Sequence, residues 1–226
     1  MHVKTTDFNE FLSDRRIIVF TVNDAAKIIG KSKAYASKFL ARDRAVKRAE
    51  KGLYYSGDAS EYDIASNIMV PSYVSLSSAL AYYNMTTQMP KFIYVISSRQ
   101  HREIKNINGY IIVFKKAVAG MFYGYVKNGA GFIAEPEKAI IDCLYFRMES
   151  YAAEAMENNK SINAKKVAAY ALRSGSGTVI SRAGLLLDEN GYQEEARQLY
   201  KRRSRMYRKL TASASAMERK WGIAHD

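Results

Sequence analysis

The chain has 226 residues, of which 35 are Lys or Arg and 22 are Asp or Glu, for a formal charge of +13 and a hydrophobic share of 48%. That length predicts one or two domains, the apolar share excludes wholesale disorder, and no apolar run approaches the ~18–20 residues that span a bilayer. The start of the chain is too polar for a secretory leader, the single Cys143 excludes an internal disulfide, and His2, His101 and His225 are too scattered for a metal cluster. The expectation is a cytoplasmic basic protein that uses no metal and no cofactor.

From Asp7 to Arg16, Phe8, Phe11 and Leu12 recur at helical spacing. Thr21 then caps a second helix, with Asp24 three residues on completing a capping-box-like pattern. Ala25, Ala26, Ile28 and Ile29 form its buried stripe, and Gly30 closes it. After a tight turn at Lys31 and Ser32, a third helix is predicted from Lys33 to Arg44. It buries Tyr35, Ala36, Phe39 and Leu40 and shows Lys33, Ser37, Lys38, Ala41 and Arg42 on its other side. Val46–Arg48 and Gly52–Ser56 read as strands joined through Ala49, Glu50 and Lys51. Helix, short turn, helix and basic hairpin make the winged helix-turn-helix pattern.

Gly57, Asp58, Ser60 and Asp63 mark a junction, and a small-residue helix follows from Ser75 to Tyr83. Phe92–Ile96, Tyr110–Phe114, Met121–Val126 and Gly131–Ala134 have the β-branched and aromatic content of strands. Glu135-Pro136-Glu137 opens a helix with Ala139, Ile140, Cys143, Leu144 and Phe146 on its apolar face. Beyond Tyr151 the pattern is helical, interrupted by Ser174-Gly175-Ser176-Gly177 and Asn190-Gly191. The fold class expected is α+β. A winged helix-turn-helix over 1–60 precedes a domain over 61–226, with a mixed α/β core over 61–150 and a helical part over 151–226.

The charge is concentrated. Residues 27–51 carry nine basic side chains against Asp43 and Glu50, a net of +7, whereas 61–150 is close to neutral. A helix enters the major groove only if its exposed face is polar, slim and positive. Lys33, Ser37, Lys38 and Arg42 fit that role. Lys31, Arg44, Lys47, Arg48 and Lys51 are placed to hold phosphates. A second basic surface is expected at Arg202, Arg203, Arg205 and Arg208, within a run of nine positions that holds no acidic residue.

Several segments resemble AbiEi-type antitoxins, the regulator components of the abortive-infection AbiE system. Phe20-Thr21-Val22-Asn23-Asp24-Ala25-Ala26, the basic helix and Lys51-Gly52-Leu53-Tyr54-Tyr55 are similar to the family's N-terminal winged helix. Tyr73-Val74-Ser75-Leu76-Ser77-Ser78-Ala79-Leu80 resembles its Y-V-S-L-x-S-A-L helix. Phe132 to Asp142 resembles its I-A-x-P-E-K-A-L-x-D segment, and the region around Ser181 to Leu187 resembles a later helix. The resemblance implies a repressor that binds operator DNA, expected as inverted repeats, and autoregulates its operon. It also implies an antitoxin paired functionally with a nucleotidyltransferase-like toxin, without need of a stable complex.

Other chemistry is weighed against this. Glu135, Glu137 and Asp142 would be the carboxylates of a metal-dependent nuclease, but their positions on a helix point them in different directions. Dipole stabilisation and a salt bridge from Lys138 account for them. Asp58, Glu61 and Asp63 read as loop and linker residues. Ser174 to Gly177 lacks the Lys-Ser/Thr ending of a phosphate-binding loop and is a turn. Tyr54, Tyr55, Tyr82 and Tyr83 would stack on single-stranded bases in an RNA-binding adaptor, the alternative to DNA binding. The basic C-terminal stretch has too few bulky apolar residues for a membrane surface. No catalytic residue is assigned, and the chain is not read as an enzyme.

Overall fold

The computed structural model describes residues 4–88, 91–159, 161–204 and 215–223. Those residues form an α+β fold with eleven α-helices and nine strands, the strands in two sheets. They divide into two compact units. The first comprises Met1–Val74, Lys91–Lys116 and Lys127–Ile133, and the second comprises Ser75–Pro90, Ala117–Val126 and Ala134–Asp226.

In the first unit, helix α1 (Thr5–Asp14) buries Phe8 and Leu12. Strand β1 (Val19–Thr21), three residues long, has too little pattern to be read from sequence and leads straight into α2 (Val22–Ile29). The capping box at that start is present. Thr21 Oγ1 accepts the Asp24 N–H at 3.2 Å, and Asp24 Oδ2 accepts the Thr21 N–H at 2.9 Å. Gly30 ends α2 at φ +67°, a conformation open to glycine at no steric cost. Helix α3 (Lys33–Leu40) starts on Ser32, whose Oγ accepts the Tyr35 N–H at 3.3 Å.

α3 stops four residues before the expected Arg44. The cause is Asp43: its Oδ1 accepts the Ala45 N–H at 3.0 Å and the Asn9 side chain at 3.3 Å. This local bond gives the backbone an alternative to the helix. Strands β2 (Val46–Glu50) and β3 (Leu53–Ser56) then form a hairpin, and β1 pairs antiparallel with β3 to complete a sheet ordered β1-β3-β2. Phe8 lies edge-on to Phe20 and Phe39, with centroids 5.7 and 5.4 Å apart. Tyr54 and Tyr55 are buried in this region, at 7% and 3% exposure, so they are not available for base stacking.

Helix α4 (Glu61–Asn67) takes Glu61 and Asp63 out of the expected loop. Ser60 caps it, and Asp63 Oδ1 accepts the N–H groups of Ala130 and Gly131 at 2.9 and 3.1 Å. The second sheet has six strands: β4 (Ser72–Val74), β5 (Phe92–Ser97), β6 (Ile104–Ile107), β7 (Tyr110–Lys116), β8 (Tyr125–Asn128) and β9 (Gly131–Ala134). Their order is β6-β7-β5-β4-β9-β8. β5 runs parallel to β7 and β4 to β9, while β4–β5 and β6–β7 are antiparallel. β4 and β6 are too short to show alternation in the sequence. The strand expected from Met121 begins only at Tyr125. A 3-10 turn at Ala119–Met121 and Gly124 at φ +65° occupy its first part.

The second unit is mainly helical: α5 (Leu76–Tyr82), α6 (Pro136–Tyr145), α7 (Glu149–Asn158), α8 (Ala164–Arg173), α9 (Gly177–Glu189), α10 (Gln193–Tyr200) and α11 (Ala216–Trp221). α6 is central, packed by α5, α7, α8 and α9. Its sequence explains this placement, since every residue from Glu137 to Leu144 is buried. α9 is likewise buried continuously from Val179 to Leu187. At Gly184 a Cβ would overlap the Trp221 ring, so α11 docks on a position that only glycine leaves open. Ser174 to Gly177 is a turn: Gly175 takes φ +65° and Ser176 caps α9. Among the described residues, no helix is long and apolar enough to cross a membrane.

Candidate nucleic-acid interface

Burial of Ala36 and Leu40 against the first-unit core fixes which side of α3 meets solvent. Lys33, Ser37 and Lys38 are all exposed on that side, and Ala41 and Arg42 continue it in the turn after Leu40. Lys31 is exposed in the turn before α3 and Arg44 in the turn before the hairpin. Lys47 and Arg48 stand out from β2, and Lys51 occupies the tip beside Gly52, whose φ is +81°. Among the described residues, none of these eight cations forms an ion pair. Arg48 Nε donates only to the Glu50 carbonyl oxygen, at 3.2 Å. Cations left in water without partners keep their full charge for a polyanion.

Two grooves border these residues. One, of about 520 Å³, is lined by Lys4, Thr5, Thr6, Tyr35, Lys38, Phe39 and Arg42. It brings the first turn of α1 beside α3, and Lys4, the residue before that turn, makes no side-chain cap. The sequence reading missed Lys4, Thr5 and Thr6, although Thr-Thr-Asp is the composition of a helix start. A wider groove, of about 1120 Å³, holds Arg16, Arg44 and Lys47 together with Glu10, Asp58 and Asp63. Lys38 and Arg42 therefore border one groove and Arg44 and Lys47 the other, and Thr5 and Thr6 line both. The nine residues named from the sequence all reach the surface of one unit, in two groups. The Ser56 hydroxyl, bonded to Asp58, holds that carboxyl below its ordinary pKa and keeps it anionic in the second groove.

The expected second basic surface is only partly within view. Arg202 is exposed. Arg203 donates to the Tyr200 carbonyl at 2.9 Å and hydroxyl at 3.1 Å, with its guanidinium 3.7 Å over the Tyr200 ring. Arg205 and Arg208 lie outside the described residues.

The carboxylates weighed for catalysis are engaged elsewhere. Asp142 pairs with Lys138, one helical turn away and fully buried, and accepts the Ser75 hydroxyl at 2.7 Å. Burial lowers the Lys138 pKa, while Asp142 works against that shift. Glu135 bonds Lys166 at 2.9 Å and also accepts the Tyr170 hydroxyl; Glu137 lies 3.5 Å from Lys166 and accepts the Asn163 N–H at 3.2 Å. Burial and the bond to Glu135 push the Tyr170 phenol up to about 12. Burial raises the Cys143 thiol well above its ordinary range, which leaves it a core residue and not a nucleophile. Among the described residues, no group of His, Cys, Asp and Glu has the spacing to hold a metal.

No family model and no curated protein matches the chain. Among solved structures it is similar to the crystal structure of the Rv2827c protein from Mycobacterium tuberculosis, with a TM-score of 0.57 at 14% identity. The similarity covers 95% of this chain and 88% of that one. At that identity it is a likeness of fold.

Proposed function

We propose that this chain is a sequence-specific duplex-DNA-binding repressor whose N-terminal elements act as a winged helix-turn-helix, in the cytoplasm. The observation that carries the reading is the chain order α1-β1-α2-α3-β2-β3 with exposed cations along α3 and the hairpin. α3 would enter the major groove through Lys33, Ser37, Lys38 and Arg42. Lys31, Arg44, Lys47, Arg48 and Lys51 would bind phosphates. The inverted repeats expected of an operator would be met by two copies of the chain.

The antitoxin part of the proposal is supported by the AbiEi-like segments at Tyr73–Leu80, Phe132–Asp142 and Ser181–Leu187. In that reading the chain represses its own operon and counteracts a nucleotidyltransferase-like toxin. Charge reversal at Lys38 and Arg42, as Lys38→Glu/Arg42→Glu, should abolish the gel shift of DNA from upstream of its gene. Thermal melting should stay unchanged, because both side chains are exposed. An unaltered shift would overturn the assignment of α3, and stronger competition by an RNA duplex at equal salt would replace DNA with RNA as the partner.

A further inference from the structure

The hairpin contains one acidic residue, Glu50 at the end of β2, among Lys47, Arg48 and Lys51. Its side chain is 21% exposed and is gripped by the segment that leads into β6. Arg102 donates to Glu50 Oε2 from Nε at 3.0 Å and from Nη2 at 2.7 Å, and His101 Nε2 lies 3.4 Å from Oε1. His101 is fixed in turn: Nδ1 is 2.7 Å from the Arg102 carbonyl oxygen, and the ring centroid is 4.8 Å from that of Phe114 on β7. β2 packs beside β6, and all of these residues belong to the first unit. Lys105, three positions on, is paired with Glu103 at 3.3 Å, so it does not compete for Glu50.

This arrangement answers two physical needs of a phosphate-binding hairpin. A carboxylate left unpaired between cations repels the phosphates they attract, over distances within a Debye length. β2 is also the edge strand of its three-stranded sheet, paired on one side by β3, and gains definition from a contact on its open side. A fork of two charge-assisted bonds supplies both neutralisation and bracing.

We propose that Arg102 is a positioning residue of the nucleic-acid interface. It neutralises Glu50 and braces the hairpin against β6, so that Lys47, Arg48 and Lys51 meet the DNA backbone as a fixed, net-positive tip. The interface then extends past the helix-turn-helix segment to the edge of the six-stranded sheet. This inference rests on the DNA-binding reading above and adds to it a residue some fifty positions downstream of the hairpin.

The test titrates full-length protein into fluorescein-labelled duplexes of about 30 base pairs that tile the DNA upstream of its gene, and reads anisotropy at ~0.1 M salt. Absence of duplex binding by the wild type overturns the DNA-binding reading and this inference with it. Given wild-type binding, Arg102→Ala should raise Kd about tenfold, and Glu50→Gln should leave it within about threefold. The double variant Glu50→Gln/Arg102→Ala should bind less tightly than Glu50→Gln, for the lost brace, but more tightly than Arg102→Ala, because the carboxylate that Arg102 neutralises is gone. The Arg102 side chain is 73% exposed, so its truncation leaves the core intact. Wild-type affinity in Arg102→Ala, or a double variant as weak as Arg102→Ala, would overturn the inference while leaving the DNA-binding reading in place.

Discussion

Between Lys31 and Lys51, eight cations face solvent and, among the described residues, none has a carboxylate within ion-pair reach. In the second unit the two buried cations, Lys138 and Arg182, each have one, in Asp142 and Glu149. The same residue types therefore serve two purposes. A buried cation must be paired, because an isolated charge out of water is too costly to keep. A cation held in water needs no partner for stability, and a cluster of them raises self-repulsion that dissolved salt or a bound polyanion relieves. The comparison separates charges engaged within the fold from charges left in water.

The largest test of this difference lies in the second unit. Lys138→Met should leave Asp142 buried beside an apolar side chain and cost about 3–5 kcal/mol of stability, read by chemical denaturation. Removing both charges, as Lys138→Met/Asp142→Leu, should recover most of that loss. A single variant as stable as the wild type would show that the buried pair is not what holds α6.

Smaller effects of the opposite kind are expected in the first unit. Lys31→Ala and Lys51→Ala should each change stability by less than about 0.5 kcal/mol, while each lowers the slope of log K for duplex DNA against log salt by about 0.9. A change in melting with no change in slope would place these lysines with the structural charges. The smallest effect concerns Asp24. The hydrogen bond from the Thr21 side chain, and after it the Thr21 N–H, hold its carboxyl below the ordinary 3.8. A depressed pKa contributes stability that is present above 3.8 and lost as pH falls through the folded value. Asp24→Asn should thus be less stable by about 0.5 kcal/mol at neutral pH and converge with the wild type below pH 3.8. A gap that persists into acid would mean that the carboxylate charge is not the source.

Legibility in the sequence followed the range of the interactions. The capping box at Thr21 and Asp24, the glycine stop at Gly30 and the Pro136 helix start are local signals, and each appears where the spacing placed it. The exposed side of α3 was readable because Ala36 and Leu40 recur at helical spacing. The end of α3 was not, since the Asp43 carboxyl that accepts the Ala45 N–H there is held in place by Asn9, 34 residues away. β1, β4 and β6 escaped notice because three- or four-residue strands carry no periodicity of their own and exist by pairing with distant partners. The grip of Arg102 on Glu50 was invisible for the same reason, with 52 residues between them.

By itself the sequence determined the α+β character, the concentration of +7 within 27–51 and the set of cations that reach solvent, because composition and short-range spacing are properties of neighbours along the chain. The tertiary structure decided which charges are spent and which remain. Pairing depends on desolvation and on contacts between segments far apart in the chain. Lys138 and Lys38, alike as residue types, become a buried structural ion and an exposed one only through the packing around them.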